Sequence, residues 1–139
     1  MIVVDASIAV KRFVRESDSD LARATWRDWT LRGEVLHAPA LFQAETLSVV
    51  RRSVMRGVLS PEDGEDAFAV LQSMEVEILE PTGLYAQAWT IAREFGRPVI
   101  YDSCYVALAR ILECELWTAD RRLYNAVNHR LPWVRLLGT

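Results

Sequence analysis

The sequence predicts an α/β fold, in which a single domain has a mainly parallel central sheet of about four to five strands with helices on both faces. Short apolar runs alternate along the chain with longer amphipathic stretches, which is the pattern of strands and crossover helices in parallel sheets. The length of 139 residues suits one domain, spanning residues 1–139, and leaves no room for a second. The content of 51% hydrophobic and 25% charged residues is typical of a globular chain and too apolar for a disordered one.

The first part of the chain contains two predicted strands and two predicted helices. Ile2–Val4 is wholly apolar and β-branched, as expected for a strand buried on both faces, and residues 7–14 are predicted to be helical. A second helix begins after Asp18 and ends near Gly33, and residues 35–38 form the second predicted strand. The second helix should bury the residues that recur at helical spacing, which are Ala22, Thr25, Trp26 and Trp29.

Two helices and a strand follow in the middle of the chain. Residues 40–56 are predicted to form a long helix that Gly57 ends, because glycine is favoured just past a helix C-terminus. Ser60 and Pro61 are typical of the N-cap and first position of the next helix, and residues 76–79 form the third predicted strand. The helix after Pro61 should bury one stripe of residues, which are Ala67, Val70, Leu71 and Met74.

The last part of the chain completes the predicted sheet. One helix ends at Gly96, and its apolar stripe consists of Leu84, Ala88, Ile91 and Phe95. Residues 102–112 are apolar nearly all round, which predicts a central helix. Residues 116–118 form the fourth predicted strand and residues 134–137 a fifth.

Composition argues against several classes of protein. The first apolar run is broken at Asp5 and has no basic leader, and no run approaches the roughly 20 apolar residues of a membrane span, so we expect a cytoplasmic protein with no membrane contact. Cys104 and Cys114 lie in or beside an apolar helix and are expected to act as small hydrophobic residues. His37 and His129 are isolated, so zinc chemistry is not expected. The net charge of −3 neither supports nor excludes RNA as a partner.

Four carboxylates stand beside apolar elements. Asp5 follows the first strand directly, and Asp120 comes two residues after the fourth strand. Asp102 opens the most apolar helix, and Glu45 lies one helical turn from apolar residues in both directions. Because ligands of open α/β sheets bind beyond the carboxyl ends of the strands, Asp5 and Asp120 point to one edge of the sheet.

Each of these acids also has a simpler interpretation. Asp5, Asp102 and Asp120 could each be a helix N-cap, and Glu45 could lie on the surface of its helix. If the fold gathers all four, however, two charges 4 Å apart repel by about 4 kcal/mol at an effective dielectric constant of 20. Protonation or bound cations must then relieve that repulsion. Mg²⁺ and Mn²⁺ prefer carboxylate oxygen and water, so either ion suits such a cluster.

The residues around these acids resemble the motifs of the PIN-domain family. The resemblance covers essentially the whole chain, and the four motifs occur in the expected order and in matching strand and helix contexts. The motifs are Ile2-Val3-Val4-Asp5-Ala6-Ser7, Ala44-Glu45, Tyr101-Asp102-Ser103-Cys104-Tyr105-Val106-Ala107-Leu108-Ala109 and Trp117-Thr118-Ala119-Asp120-Arg121-Arg122-Leu123. The size and bare single-domain form are similar to those of the VapC-type toxins of toxin–antitoxin pairs.

This resemblance implies a Mg²⁺- or Mn²⁺-dependent endoribonuclease that forms a homodimer and is inhibited by a cognate antitoxin protein. It implies that the catalytic, metal-binding acids are Asp5, Glu45, Asp102 and Asp120. Thr118 and Ser7 would then hydrogen-bond the carboxylates or the phosphate of the RNA. Ser103 and Cys104 occupy positions that vary in the family.

Basic residues near the acids are candidates for RNA contacts, because phosphates supply most non-specific affinity. Lys11 and Arg12 follow Asp5, Arg52 lies two helical turns beyond Glu45, and Arg121 follows Asp120; the four are predicted RNA-binding residues, although charged side chains often only solvate a helix face. Other candidates in the same clusters are Arg15, Arg51, Arg56 and Arg122. The spacing of Trp26 and Trp29 favours core packing over base stacking, and the role of the tyrosines on either side of Asp102, Tyr101 and Tyr105, stays open.

Other functions share parts of this pattern. A nuclease of RNA maturation that is not a toxin would use identical chemistry. A non-catalytic RNA- or protein-binding module would keep the fold, but the presence of all four acids argues against it. A phospho-acceptor signalling domain needs a second acid beside Asp5 and a lysine late in the sheet, and the sequence has neither.

Overall fold

The computed structural model describes residues 1–139 and contains one five-stranded sheet in which every pair of neighbouring strands is parallel. The strand order is β3-β2-β1-β4-β5. The strands are β1 (Ile2–Val4), β2 (Leu36–Ala38), β3 (Val76–Ile78), β4 (Glu115–Thr118) and β5 (Val134–Leu136). The predicted α/β class with a parallel sheet is therefore confirmed, and the possible fifth strand is present.

Seven helices connect these strands. They are α1 (Ala6–Val10), α2 (Ser19–Leu31), α3 (Leu41–Met55), α4 (Pro61–Ser73), α5 (Leu84–Glu94), α6 (Tyr101–Leu112) and α7 (Arg121–Val127). The chain runs outward from β1 to β3 on one side and from β4 to β5 on the other. Because crossovers between parallel strands are almost always right-handed, these two opposite directions put helices on both faces of the sheet. The direction reverses between β1 and β4, and such a switch point is where ligands bind in open α/β sheets.

Strand β1 and helix α6 carry few polar residues because both lie in the hydrophobic core. Every residue of β1 is buried, and α6 buries seven consecutive residues from Ser103 to Ala109. Trp26 and Trp29 of α2 are also buried, as their spacing predicts. Cys104 is buried and Cys114 half-buried, and both are free thiols, which agrees with a packing role.

Two local predictions were wrong. Helix α1 ends at Val10 instead of continuing to Val14, because the amides of Arg12 and Phe13 bond to carbonyls three residues back and tighten the chain into turns. Val70 of α4 is 40% exposed instead of buried. The fully buried positions of α4 are Gly64 and Ala67, so the side of the helix that faces the protein carries its small residues.

The register of β1 and β4 brings distant parts of the chain together. Val4 lies opposite Trp117, and the amide of Asp5 donates to the carbonyl of Trp117 over 2.9 Å. Asp5 therefore stands next to Thr118 at the carboxyl end of the sheet. No helix in the structure is both long enough and apolar enough to cross a membrane.

Candidate functional site

An open cleft of about 780 Å³ lies beyond the carboxyl ends of β1 and β4, and all four predicted acids contribute to its wall. The other lining residues come mainly from α1 and α3. The complete lining is Asp5, Ala6, Ser7, Val10, Glu16, Ala44, Glu45, Ser48, Val49, Arg52, Tyr101, Asp102 and Asp120. Five of these side chains are carboxylates and only Arg52 is a cation, so the cleft is strongly acidic although the whole chain is not.

Asp5 is the most buried acid of the cleft, with 5% of its surface exposed. Its Oδ2 accepts hydrogen bonds from Thr118 Oγ1 at 2.6 Å and from Ser7 Oγ at 3.1 Å. Burial raises the pKa of Asp5 to about 7, the bonds from Thr118 and Ser7 lower it, and the charges of the other acids raise it further. Thr118 and Ser7 thus hold this carboxylate in place, at the positions that the resemblance implies.

Glu45 reaches the cleft from the middle of α3. The buried hydroxyl of Tyr105 on α6 donates to Glu45 Oε1 over 2.8 Å. Burial raises the pKa of Glu45, the Tyr105 hydrogen bond opposes that rise, and the charge of Asp102 adds to it. Glu45 Oε2 has no protein hydrogen-bond partner and remains available to a ligand.

Asp102 lies in the first turn of α6 and does not cap that helix. The N-cap residue is Ile100, which makes no side-chain cap bond, so the capping interpretation is wrong for Asp102. Burial raises the pKa of Asp102, and repulsion from Asp120 raises it further, while the Arg97 guanidinium, 3.4 Å from Oδ2, lowers it. A single long ion pair with Arg97 leaves most of its charge uncompensated.

Asp120 combines a structural role with an open oxygen. Its Oδ1 caps α7 by accepting from the amides of Arg122 at 2.8 Å and Leu123 at 3.2 Å. Asp5 also caps, because its Oδ1 accepts from the amide of Ser7 at 3.4 Å. The capping interpretation therefore holds for Asp5 and Asp120, but it uses only Oδ1 of Asp120 and leaves Oδ2 without a protein partner.

The four acids share one cleft without forming a closed set of ligands. No three His, Cys, Asp or Glu side chains are close enough together to hold a metal ion at once. This arrangement is looser than the tight cluster that the sequence suggests, and Asp5, Glu45 and Asp102 each bond instead to a protein partner, which is Thr118, Tyr105 and Arg97 respectively.

The donor set nevertheless fits a hard divalent cation. Three of the four acids have a raised pKa, mainly because burial disfavours their charged form and partly because the other carboxylates repel it, so a bound cation would relieve both penalties. Mg²⁺ is usually held by one or two carboxylates while it keeps several waters, so it does not require three direct protein ligands. An open, acidic and water-accessible cleft meets that requirement.

The predicted RNA-binding residues fall into different places. Arg52 lines the cleft. Lys11 is only 14% exposed and pairs with Glu16 and with Asp18 Oδ1, the latter at 2.9 Å, so it bridges acids at the cleft edge. Arg121 is exposed in the first turn of α7, outside the lining.

Arg12 lies outside the cleft altogether. Its guanidinium packs 4.7 Å from the centre of the Trp26 ring, in a separate hollow. The prediction of an RNA contact by Arg12 therefore requires a second surface.

Sequence reasoning missed two residues that hold the acids. The sequence leaves the role of Tyr105 open, and in the structure this residue is a buried hydrogen-bond donor to Glu45. The available signal was a phenol inside an almost wholly apolar helix, because a buried hydroxyl needs a partner. Nothing in the sequence marks Arg97, whose contact with Asp102 depends on the loop between α5 and α6.

Comparison with known proteins places this cleft in a family. The model of the PIN domain matches residues 2–128. VapC ribonuclease Mb0985 of Mycobacterium bovis and Ribonuclease VapC9 of Mycobacterium tuberculosis are each 33% identical to the chain over 132 residues. The match covers 95% of this chain and 95% of each relative. Ribonuclease VapC12 of Mycobacterium tuberculosis is 32% identical over 130 residues, covering 93% of this chain and 94% of its own.

A solved structure gives the same fold. The crystal structure of Mycobacterium tuberculosis VapC20, described as a sarcin-ricin loop cleaving toxin, matches with a TM-score of 0.66 over 91% of this chain and 95% of its own, at 19% identity. The family resemblance seen in the four acidic motifs thus agrees with both the sequence matches and the fold. The chain belongs to the PIN domain family, and within it to the VapC-type proteins.

Proposed function

We propose that this protein is a metal-dependent endoribonuclease whose active site is the acidic cleft. The observation that carries the proposal is the buried Asp5 carboxylate, which stands with Glu45, Asp102 and Asp120 around one opening at the switch point of the sheet. Several similar proteins are named ribonucleases. The reaction is hydrolysis of an RNA phosphodiester bond.

The four acids would hold Mg²⁺ or Mn²⁺ as direct or water-bridged ligands. When bound, the ion supplies a Lewis acid that activates water and offsets charge on the phosphate. Thr118 and Ser7 fix the Asp5 carboxylate, so that it needs little rearrangement when the ion arrives. Asp120 keeps Oδ1 on its helix cap, so its unpaired Oδ2 would be the oxygen available to the ion.

Cations around the cleft would attract and orient the RNA. Arg52 lies in the wall and can contact a phosphate beside the scissile bond. Lys11 at the edge and Arg121 on the first turn of α7 are further candidates for backbone contacts. No histidine lines the cleft, which fits a reaction that relies on the ion rather than on a separate general base.

The direct test is cleavage of a mixed RNA pool by the purified protein with Mg²⁺ or with Mn²⁺, repeated with excess EDTA. We expect cleavage with at least one ion and none with EDTA, and activity should return when the ion is added back. Cleavage that persists at full rate after thorough chelation would refute metal dependence. No cleavage with either ion, by protein that is folded, would refute the nuclease proposal.

We further propose that the protein acts in the cytoplasm as the toxin of a toxin–antitoxin pair, as a homodimer that a cognate antitoxin protein inhibits. The toxin role is supported by the similar VapC20 structure, which is described as a toxin, and by the VapC names of the relatives, whereas the homodimer and the antitoxin are what the resemblance to VapC-type toxins implies. A nuclease of RNA maturation would use the same site. Sequencing of RNA ends after induced expression separates the two, because a toxin cuts an RNA that the cell needs intact and a maturation nuclease leaves only processed ends.

Tyr105→Phe should weaken metal binding more than it slows the reaction at saturating metal. The change removes the donor to Glu45 Oε1 while keeping the buried ring, so Glu45 loses its orientation but not its charge. We expect the Mn²⁺ concentration for half-maximal cleavage to rise by roughly 10-fold, as is typical when a partner of a metal ligand is lost. Tyr124→Phe is the matched control, since the Tyr124 hydroxyl makes no protein hydrogen bond and does not line the cleft.

The same pair of variants also has a readout without RNA. The Mn²⁺-induced rise in unfolding temperature should be smaller for Tyr105→Phe than for Tyr124→Phe at equal ion concentration. Equal metal responses in the two variants would show that Tyr105 only fills space.

A further inference from the structure

A second hollow, of about 360 Å³, lies between the end of α1 and α2 and shares no lining residue with the acidic cleft. Its wall contains three arginines and no carboxylate. The lining is Arg12, Phe13, Arg23, Trp26, Arg27, Thr30 and Leu31. The sign of its charge is therefore opposite to that of the cleft.

Arg12 is the central cation of the hollow. Its guanidinium packs over the ring of Trp26 at 4.7 Å and of Phe13 at 5.7 Å from the ring centres, so two aromatic faces fix its position. It is half-buried, yet it forms no ion pair and its side chain donates no hydrogen bond to a protein acceptor. Burial and the neighbouring charge of Arg23 both lower its pKa, so the cation is partly desolvated and uncompensated.

The other two arginines add charge that nearby acids only partly cancel. Arg23 pairs with Asp20 at 2.9 Å on the exposed surface and also donates from Nη2 to the carbonyl of Arg12 at 3.3 Å. Arg27 has no ion pair. A guanidinium presents a planar set of donors that matches the oxygens of a phosphate. Three arginines therefore bind a phosphate better than lysines would, because a lysine ammonium acts only as a point charge.

The hollow lies next to the acidic cleft along the chain. Val10 lines the acidic cleft and Arg12 lines the hollow, and two residues of chain span at most about 7.6 Å between Cα atoms. Lys11, which stands between them, is tied to Glu16 and Asp18 and neutralises part of the acidic boundary. Lining residues of the two sites are therefore adjacent at the end of α1, and an RNA strand longer than the cleft is long enough to contact both.

We propose that Arg12, Arg23 and Arg27 form a second binding site that holds a backbone phosphate of the substrate RNA away from the scissile bond. This inference rests on the proposed nuclease function and adds to it a separate contact for longer substrates. The site reads phosphate rather than a base, because Trp26 is only 8% exposed and the Arg12 guanidinium packs over its ring. Contacts of this kind supply affinity and register without sequence preference.

The test compares Arg12→Gln and Arg27→Gln with Arg93→Gln, each in a protein that also carries Asp102→Asn so that RNA is not cut. Arg93 lies on α5, lines none of these sites and makes no ion pair, so its replacement changes the net charge equally. The probe is a fluorescently labelled single-stranded RNA of about 20 nucleotides, longer than one binding groove. Its affinity is measured by anisotropy over a series of salt concentrations.

We expect Arg12→Gln and Arg27→Gln each to weaken RNA binding by about 3- to 10-fold and to reduce the slope of log affinity against log salt by about 0.7, which corresponds to one phosphate contact on a single strand. Arg93→Gln should leave both values unchanged. In proteins with the Asp102 carboxylate intact, KM for a long RNA should rise while kcat stays the same.

Three outcomes would overturn the inference. The first is binding by Arg27→Gln that equals that of Arg93→Gln; this variant is decisive because Arg27 is exposed and its side chain makes no ion pair or hydrogen bond that folding could require. The second is a fall in kcat with unchanged KM, which would assign the arginines to the cleft. The third is preferential capture of an acidic peptide over RNA. If the parent protein cleaves RNA normally in any of these cases, the proposed function survives and only the second site is lost.

Discussion

Replacing Asp102 by asparagine should lower RNA cleavage by about a thousandfold or more, because the ion that the cleft binds contributes several kcal/mol of charge stabilisation and each 1.4 kcal/mol is tenfold in rate. Asp102 is the best position for this test. It caps no helix, and its only protein hydrogen-bond partner is Arg97 at 3.4 Å. Replacing its carboxylate by the asparagine amide therefore removes one negative charge and changes little else.

The same substitution should make the metal-free protein more stable. The pKa of Asp102 is raised by burial and by Asp120, which means that the folded state disfavours its charge at neutral pH. Asparagine removes that unfavourable charge while keeping the shape. Activity and stability are thus expected to move in opposite directions, as at other sites that place charge for function at the expense of folding.

Cleavage rate and unfolding temperature in EDTA are the two measurements. The control is Asp66→Asn on the exposed side of α4, which makes the same change in charge without a contact in the cleft. Retention of more than about a tenth of the activity in Asp102→Asn would contradict the assigned role. A large loss of stability in EDTA would instead show that Asp102 is a structural residue.

The sequence predicted those parts of the molecule that follow from local pattern. The run Ile2–Val4 has no polar residue because both faces of a central parallel strand are covered, and the acid that follows it must then lie at the edge of the sheet. Asp120 follows β4, which pairs with β1 in the structure. The periodicity of the sequence could not predict that these two strands are neighbours. The family resemblance implied that both acids serve one site, but the pairing of β1 with β4 itself was not predicted.

The features that were missed depend on contacts between elements distant in the chain. Tyr105 bonds to Glu45 only because α6 and α3 both lie at the carboxyl end of the sheet. A tyrosine in a buried helix indicates that its hydroxyl has a partner, but the sequence does not show which residue that partner is. Val70 has the right spacing for burial, but the part of α4 that is fully buried centres on Gly64 and Ala67. Arg12 was grouped with Asp5 by sequence distance, whereas the early end of α1 turns it toward Trp26.

The metal-free protein should lose stability as pH rises from about 5 to 8, and Mg²⁺ or Mn²⁺ should restore it mainly at the upper end of that range. The pKa of Asp5 is about 7 in the folded protein and near 3.9 in the unfolded chain. Since the folded value is the higher one, the contribution of the protonated acid to stability is complete below pH 4 and is lost as pH rises through 7.

The expected size is large for one residue. The difference between the two pKa values of Asp5 corresponds to about 4 kcal/mol, and the raised pKa values of Glu45 and Asp102 act in the same direction. A bound divalent ion favours the charged carboxylates, so protons and metal compete for the same oxygens. Metal should therefore raise the unfolding temperature by several degrees at pH 8 and by little at pH 5.

The matched variant for this experiment is Asp5→Asn, which removes the titrating group while asparagine can still accept a bond from the helix end. Its unfolding temperature in EDTA should depend less on pH than that of the unchanged protein, and its response to metal should be weaker. Asp66→Asn should behave as the unchanged protein does. A metal-induced rise in unfolding temperature that is as large at pH 5 as at pH 8 would contradict competition at Asp5, because it would place the ion on oxygens that do not take up protons in this range.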